Sequence, residues 1–172
     1  AALRRAGVGP GDRVAVLQRN APFYLCWTFA CAGVGAILVP LNYRLNAVEL
    51  RAVLVDSEAR VLVAEEDFHG LAEAAGEGLA LETLKMSSRE AEHPPLGLRL
   101  ESEDFHGFVP HASSEDDVAH LYYTSGTTGR AKGVPLTHRN VVQHALATIT
   151  ELDLASDDVW GHIAPMFHLA DA

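Results

Sequence analysis

Residues 124–133 read Thr-Ser-Gly-Thr-Thr-Gly-Arg-Ala-Lys-Gly, a run whose side chains and spacing suit the binding of an anion. Gly126, Gly129 and Gly133 let the backbone turn and come close to a ligand. Thr124, Ser125, Thr127 and Thr128 add four hydroxyl donors, and Lys132 adds a point charge. Successive backbone N–H groups in such a turn form a nest for phosphate oxygens. The spacing is not that of a Walker A loop, because Ala131 and Gly133 stand where that pattern needs glycine and a hydroxyl residue. Pro135 also stops a helix from opening directly after the lysine. The loop is therefore expected between a strand and a second extended segment. On composition alone, a plain Gly/Thr surface loop with an incidental lysine is the competing reading.

Other candidates for chemistry are fewer. His168 closes the run Pro165-Met166-Phe167-His168 and, taken alone, reads as a packed loop residue. The other eight histidines show no HExxH or comparable ligand spacing. Cys26 and Cys31 are five apart in an apolar run, which suits two buried thiols in a reducing compartment better than a metal pair. The acidic patches 101–104 and 115–117 read as solvated surface, since nothing fixes their geometry for a cation.

These residues need a scaffold, and the periodicity supplies an α/β one. Strands are expected at 13–17, 36–39, 61–64 and 118–123, the last rich in β-branched and aromatic residues. Helices are expected over 23–31, 48–56 and from Thr137 or His138 to about Leu152, with Asn20 capping the first. A partial helix is expected near 72–80 and a further strand at 159–163. Alternation of strand and helix indicates βαβ crossovers on a mostly parallel sheet flanked by helices. The turn Gly7-Val8-Gly9-Pro10-Gly11-Asp12 precedes its strand and has Asp12 at the third glycine position, so it is no dinucleotide fingerprint.

Composition bounds the rest. The 172 residues suffice for one domain with a core, and 48% apolar with 21% charged residues is a globular mixture. A net charge of −10 argues against a nucleic-acid surface. Residues 21–41 hold no charge over a length that could span a bilayer, but Pro22, Gly33, Gly35 and Pro40 divide them into a buried helix and strand. No secretory leader is visible at the first residues, and the unfinished apolar segment at the end reads as a piece of something longer.

The string Tyr123-Thr124-Ser125-Gly126-Thr127-Thr128-Gly129, followed by Lys132-Gly133, resembles the signature of the adenylate-forming superfamily, in particular the N-terminal part of an acyl-CoA synthetase. Gly9-Pro10-Gly11-Asp12-Arg13-Val14-Ala15, Gly33-Val34-Gly35-Ala36, Val39-Pro40-Leu41-Asn42, Leu136-Thr137-His138-Arg139-Asn140 and Pro165-Met166-Phe167-His168 are similar to further family segments, in order. Ala131 departs from the pattern, which usually has proline there; it loosens the loop without removing a ligand group. The resemblance implies that residues 1–172 are an incomplete N-terminal AMP-binding domain, lacking the later subdomains and the mobile C-terminal domain. It implies ATP-dependent activation of a carboxylic acid, fatty or aryl, to an acyl-adenylate, then thioester formation with coenzyme A.

By position, Thr124, Ser125, Gly126, Thr127, Thr128, Gly129 and Lys132 would hold the ATP phosphates. Thr124 would contact Mg²⁺, and His168 would orient the carboxylate or the α-phosphate. The expected partners are small molecules, the location cytoplasmic and the fragment alone inactive, while peripheral membrane contact and a homo-oligomer stay open. An amino-acid adenylation domain of a peptide synthetase and a non-catalytic nucleotide-binding α/β module are the alternatives.

Overall fold

The computed structural model describes residues 2–87, 108–124 and 131–168. A short helix α1 (Ala2–Arg5) is followed by β1 (Arg13–Leu17), α2 (Pro22–Val34), β2 (Ile37–Pro40), α3 (Ala47–Asp56) and β3 (Val61–Glu65). A 3-10 turn (Glu66–Phe68) leads into α4 (His69–Gly76) and β4 (Glu82–Met86). Then come β5 (Val118–Thr124), β6 (Lys132–Thr137) and α5 (His138–Leu152). One six-stranded sheet has the order β4-β3-β1-β2-β5-β6, parallel except where β5 meets β6.

β1 is central because both its faces are apolar. Val14 and Val16 point into a core with Tyr24, Trp27 and Cys31 of α2. Ala15 and Leu17 point into a second core with Leu50, Val53 and Leu54 of α3 and Ala72 and Ala75 of α4. Residues 14–17 are wholly buried, which is why the strand reads as a continuous apolar run instead of an alternation. The chain steps from β1 to β2 under α2, then back past β1 to β3 under α3 on the other face. Reversing both direction and face keeps the hand of the crossovers the same.

The expected membrane-length run 21–41 is α2 and β2, and no helix among the described residues is long and apolar enough to cross a bilayer. The break between them is Gly35, with φ +74°, where α2 ends in a left-handed cap. The returning segment packs against this break, with His111 N–H donating to Gly33 O at 2.9 Å. Gly9-Pro10-Gly11-Asp12 is a turn, closed by Gly9 N–H donating to the Asp12 carboxylate at 2.9 Å.

One element is new and two expectations need correction. β4 was not foreseen, because Glu82-Thr83-Leu84-Lys85-Met86 carries charges at positions that only an edge strand leaves exposed. Asn20 does not cap α2, whose N-cap is Ala21 with no side-chain bond. Residues 159–163 form no strand, and Val159 and Ile163 are almost fully exposed. The expected start of α5 holds, and Thr137 and Asn140 form a reciprocal capping box there. Cys31 is buried, with its thiol pushed up to about 12 by burial, whereas Cys26 is half-buried; both are free.

Candidate functional site at the carboxyl edge of the sheet

Because β1, β2, β3 and β5 are parallel, their carboxyl ends at Leu17, Pro40, Glu65 and Thr124 share one edge of the sheet. Ligands of open α/β sheets bind outside this edge, where loops rise from strands that diverge. The segment expected to grip phosphate begins here, at the end of β5.

β5 and β6 form an antiparallel pair in which Thr124 faces Lys132 and Tyr123 faces Gly133. The expected arrangement, strand then loop then extended segment, is the one observed, and β6 tolerates Pro135 because it lies at the sheet edge. The Thr124–Lys132 pair closes the loop, so the hydroxyl and the ammonium rise from adjacent strands at its base. Both residues are exposed. Among the described residues, no carboxylate forms an ion pair with Lys132. Ser125, Gly126, Thr127, Thr128 and Gly129, also assigned to this grip, lie outside the described residues.

The base of the hairpin is held firmly. Tyr123 donates its hydroxyl to the Asp56 carboxylate at 2.7 Å, tying β5 to the end of α3. Burial, then this bond, raises the Tyr123 phenol above its ordinary value. Gly133 lies under the same side chain: a Cβ there would come within 3.1 Å of Leu121 and 3.3 Å of the Tyr123 ring. The third loop glycine thus serves close packing at the hairpin base.

His168 arrives at this edge on a separate segment. Residues 162–166 are fastened to the loop after β1 by Asn20. Its amide donates to His162 O at 3.1 Å and Ala164 O at 2.6 Å, and its oxygen accepts Met166 N–H at 2.8 Å. Met166 is buried in the α2-side core. Next to it, Phe167 meets the Tyr43 ring edge-on at 5.0 Å, and Tyr43 in turn stacks on Phe68 at 5.6 Å. His168 itself is exposed, with its N–H donating to Pro165 O at 2.9 Å. The structure therefore joins Thr124 and Lys132 by strand register and brings His168 to the same edge by a different route.

Asn20 and Tyr43 were not among the site residues expected from the sequence. Tyr43 lies in the stretch Val39-Pro40-Leu41-Asn42-Tyr43 at the end of β2, and its place at the carboxyl edge was the available signal. Asn20 gave none, since all its partners lie more than 140 residues away.

A resident metal is not built into the described residues, which hold no group of three His, Cys, Asp or Glu side chains suited to one. Of the acidic patches, Glu115 and Asp116 pair with Arg139 at 2.7 and 2.9 Å on the surface, as solvated charges do. A Mg²⁺ that arrives on a phosphate needs no such group, because it keeps most of its waters and takes few protein ligands, and Thr124 offers an exposed hydroxyl at the base of the loop.

Comparison with known proteins bears on this geometry. The chain matches the family described as AMP-binding enzyme over residues 1–172. It is 43% identical over 170 residues to a feruloyl-CoA synthase of Amycolatopsis sp, covering 98% of this chain and 32% of that protein. It is 35% identical over 176 residues to the fatty acid–[acyl-carrier-protein] ligase ScoC of Streptomyces coeruleorubidus, with 98% and 32% covered. Its fold superposes on ATP-bound MatB from Rhodopseudomonas palustris with a TM-score of 0.81 at 26% identity, over 97% of this chain and 33% of that one. The chain thus spans about a third of the length of the relatives it matches.

Proposed function

Because this chain belongs to the AMP-binding enzyme family, we propose that it serves a longer, AMP-forming acid–thiol ligase that converts a carboxylic acid to its coenzyme A thioester. In the first step a carboxylate oxygen attacks the α-phosphorus of ATP, the bond to the β-phosphate oxygen breaks, and pyrophosphate leaves. In the second, a thiol sulfur attacks the acyl carbonyl and AMP departs. The acid is an aryl or fatty acid, a reading supported by the feruloyl-CoA synthase and fatty acid ligase relatives.

The observation that carries this reading is the β5–β6 hairpin, with Thr124 opposite Lys132 at the carboxyl edge. A carboxylate and a triphosphate are both anions, so the first step needs charge neutralised and the groups aligned. Lys132 neutralises the β- and γ-phosphates, while Thr124 and the residues Ser125, Gly126, Thr127, Thr128 and Gly129 hold them with hydroxyl and backbone N–H donors. Thr124 would be the protein contact of a Mg²⁺ carried on the phosphates, and that ion would supply further charge neutralisation. His168, brought to the same edge on a separate segment, orients the acid's carboxylate or the α-phosphate.

Residues 1–172 form an incomplete N-terminal domain in this reading, and the chain alone gives at most weak ATP binding and no turnover. The reaction is cytoplasmic, where ATP and coenzyme A are drawn upon. A carrier-protein thiol is the second reading for the acceptor, favoured by the relative that acts on acyl-carrier protein.

Single-turnover adenylation by the full-length ligase tests the phosphate role. Losing a charged hydrogen bond costs roughly 1.5–3 kcal/mol, so Lys132→Ala slows adenylation about ten- to a hundredfold. An unchanged rate contradicts the assignment. Offering coenzyme A and an acyl carrier protein in parallel identifies the thiol.

A further inference from the structure

We propose that Asn20 is a positioning residue for acid activation: it sets the backbone of the segment that presents Phe167 and His168 to the carboxyl edge. The inference rests on the role given to His168 above, but its structural basis is separate.

Residues 159–168 contain no helix or strand, so no ladder of backbone bonds fixes the course of this segment. One side chain bonds three of its backbone groups. Asn20 stands three residues beyond the end of β1, a strand inside the sheet whose residues 14–17 are wholly buried, so it is carried on rigid ground. From there it reaches His162 O, Ala164 O and Met166 N, spanning five residues of the loop. Two carbonyls face Nδ2 and one N–H faces Oδ1, which fixes the amide orientation.

Only a primary amide has two donors and an acceptor on one planar group. An aspartate at position 20 keeps the bond to Met166 N–H and sets its charge against two carbonyls. An alanine keeps none. The loop is then held from its other side by Phe167 on Tyr43, which fixes a ring position but no backbone orientation. With the Asn20 bonds and the aromatic contact both present, the turn Pro165–His168 has one arrangement, and His168 leaves it toward solvent at the edge. Misplacing a positioning group by about 1 Å can cost on the order of a hundredfold in rate.

The test uses the full-length ligase with Asn20→Ala, Asn20→Asp, His168→Ala and the double variant Asn20→Ala/His168→Ala. Asn20→Ala is expected to lower kcat/KM for the acid about ten- to a hundredfold. The dissociation constant for Mg²⁺·ATP should stay within about twofold, because the phosphate grip sits on β5 and β6. In the His168→Ala background the further loss from Asn20→Ala should be small, since the two act as a unit. Asn20→Asp, which keeps only the Met166 bond and sets its charge against two carbonyls, should also lower kcat/KM for the acid, and it carries the same test if the alanine variant does not fold. Wild-type acid kinetics in both single Asn20 variants, or an equal loss with and without His168, overturns the proposal. A silent His168→Ala instead contradicts the role of His168. Positioning by Asn20 is then judged by hydrogen exchange at Met166 N–H, which must accelerate in Asn20→Ala; unchanged protection overturns it.

Discussion

The parallel body and the segment after β6 use the same sequence code with opposite outcomes. In the body, α3 and α4 bury apolar faces against β1 and β3, and Leu50 has no exposure at all. In α5, Val142, Leu146 and Ile149 follow at spacings of four and three, an apolar stripe on one side of a helix, yet no residue of α5 is buried. Trp160 and Ile163, just beyond, are also exposed. An apolar pattern therefore reports what a helix can bury, and burial needs a second surface. Among the described residues, the body has that surface and α5 does not.

Stability measurements on the 172-residue chain can break this contrast. The largest effect is expected in the body: Leu50→Ala leaves a cavity between α3 and the sheet and should cost about 2–5 kcal/mol in equilibrium denaturation. Within the sheet, β2 and β5 are joined through Leu38 and His120, and burial followed by the charge of His138 at the start of α5 holds the His120 imidazole down to about 4. Its unfolded value is about 6.5, so the unfolded chain takes up a proton that the folded chain resists. The associated stability is full above pH 6.5 and is lost as pH falls toward 4, by as much as about 3 kcal/mol. His120→Gln should flatten that part of the stability–pH curve, and an unaltered slope would exclude His120 as its source.

Gly35→Ala comes next. It forces an L side chain into φ +74° and sets a Cβ 2.4 Å from the His111 ring. A cost of about 1–3 kcal/mol is expected, seen as a lower denaturation midpoint. The smallest effect belongs to α5, where Leu146→Ala should change stability by less than about 0.5 kcal/mol. A loss matching that of Leu50→Ala would mean that α5 is packed after all, and the contrast would fail.

Much of the body was legible because its signals are local. Pro22, Gly35 and Pro40 bracket α2 and β2, and apolar periodicity placed the helices over 48–56 and 137–152, whose starts the structure closes with capping boxes. The segment proposed to bind phosphate stood out for the same reason, its glycines, hydroxyls and lysine being contiguous, and its strand-to-extended setting on β5 and β6 is the one observed. What the sequence hid was non-local. Asn20 could serve as a cap by local rules, but its partners at 162–166 arrive from the far end of the chain. Residues 159–163 carry β-forming side chains, but a strand needs a neighbour with which to pair. β4 failed the apolar criterion because an edge strand is free to be polar.

The role proposed for the hairpin at 124–132 is to grip ATP for attack by a carboxylate. Exchange of labelled pyrophosphate into ATP by the full-length ligase tests it most directly. The account predicts exchange that requires an aryl or fatty acid and Mg²⁺ and falls about ten- to a hundredfold in Lys132→Ala. Exchange that proceeds without acid, or survives undiminished in Lys132→Ala, would contradict it.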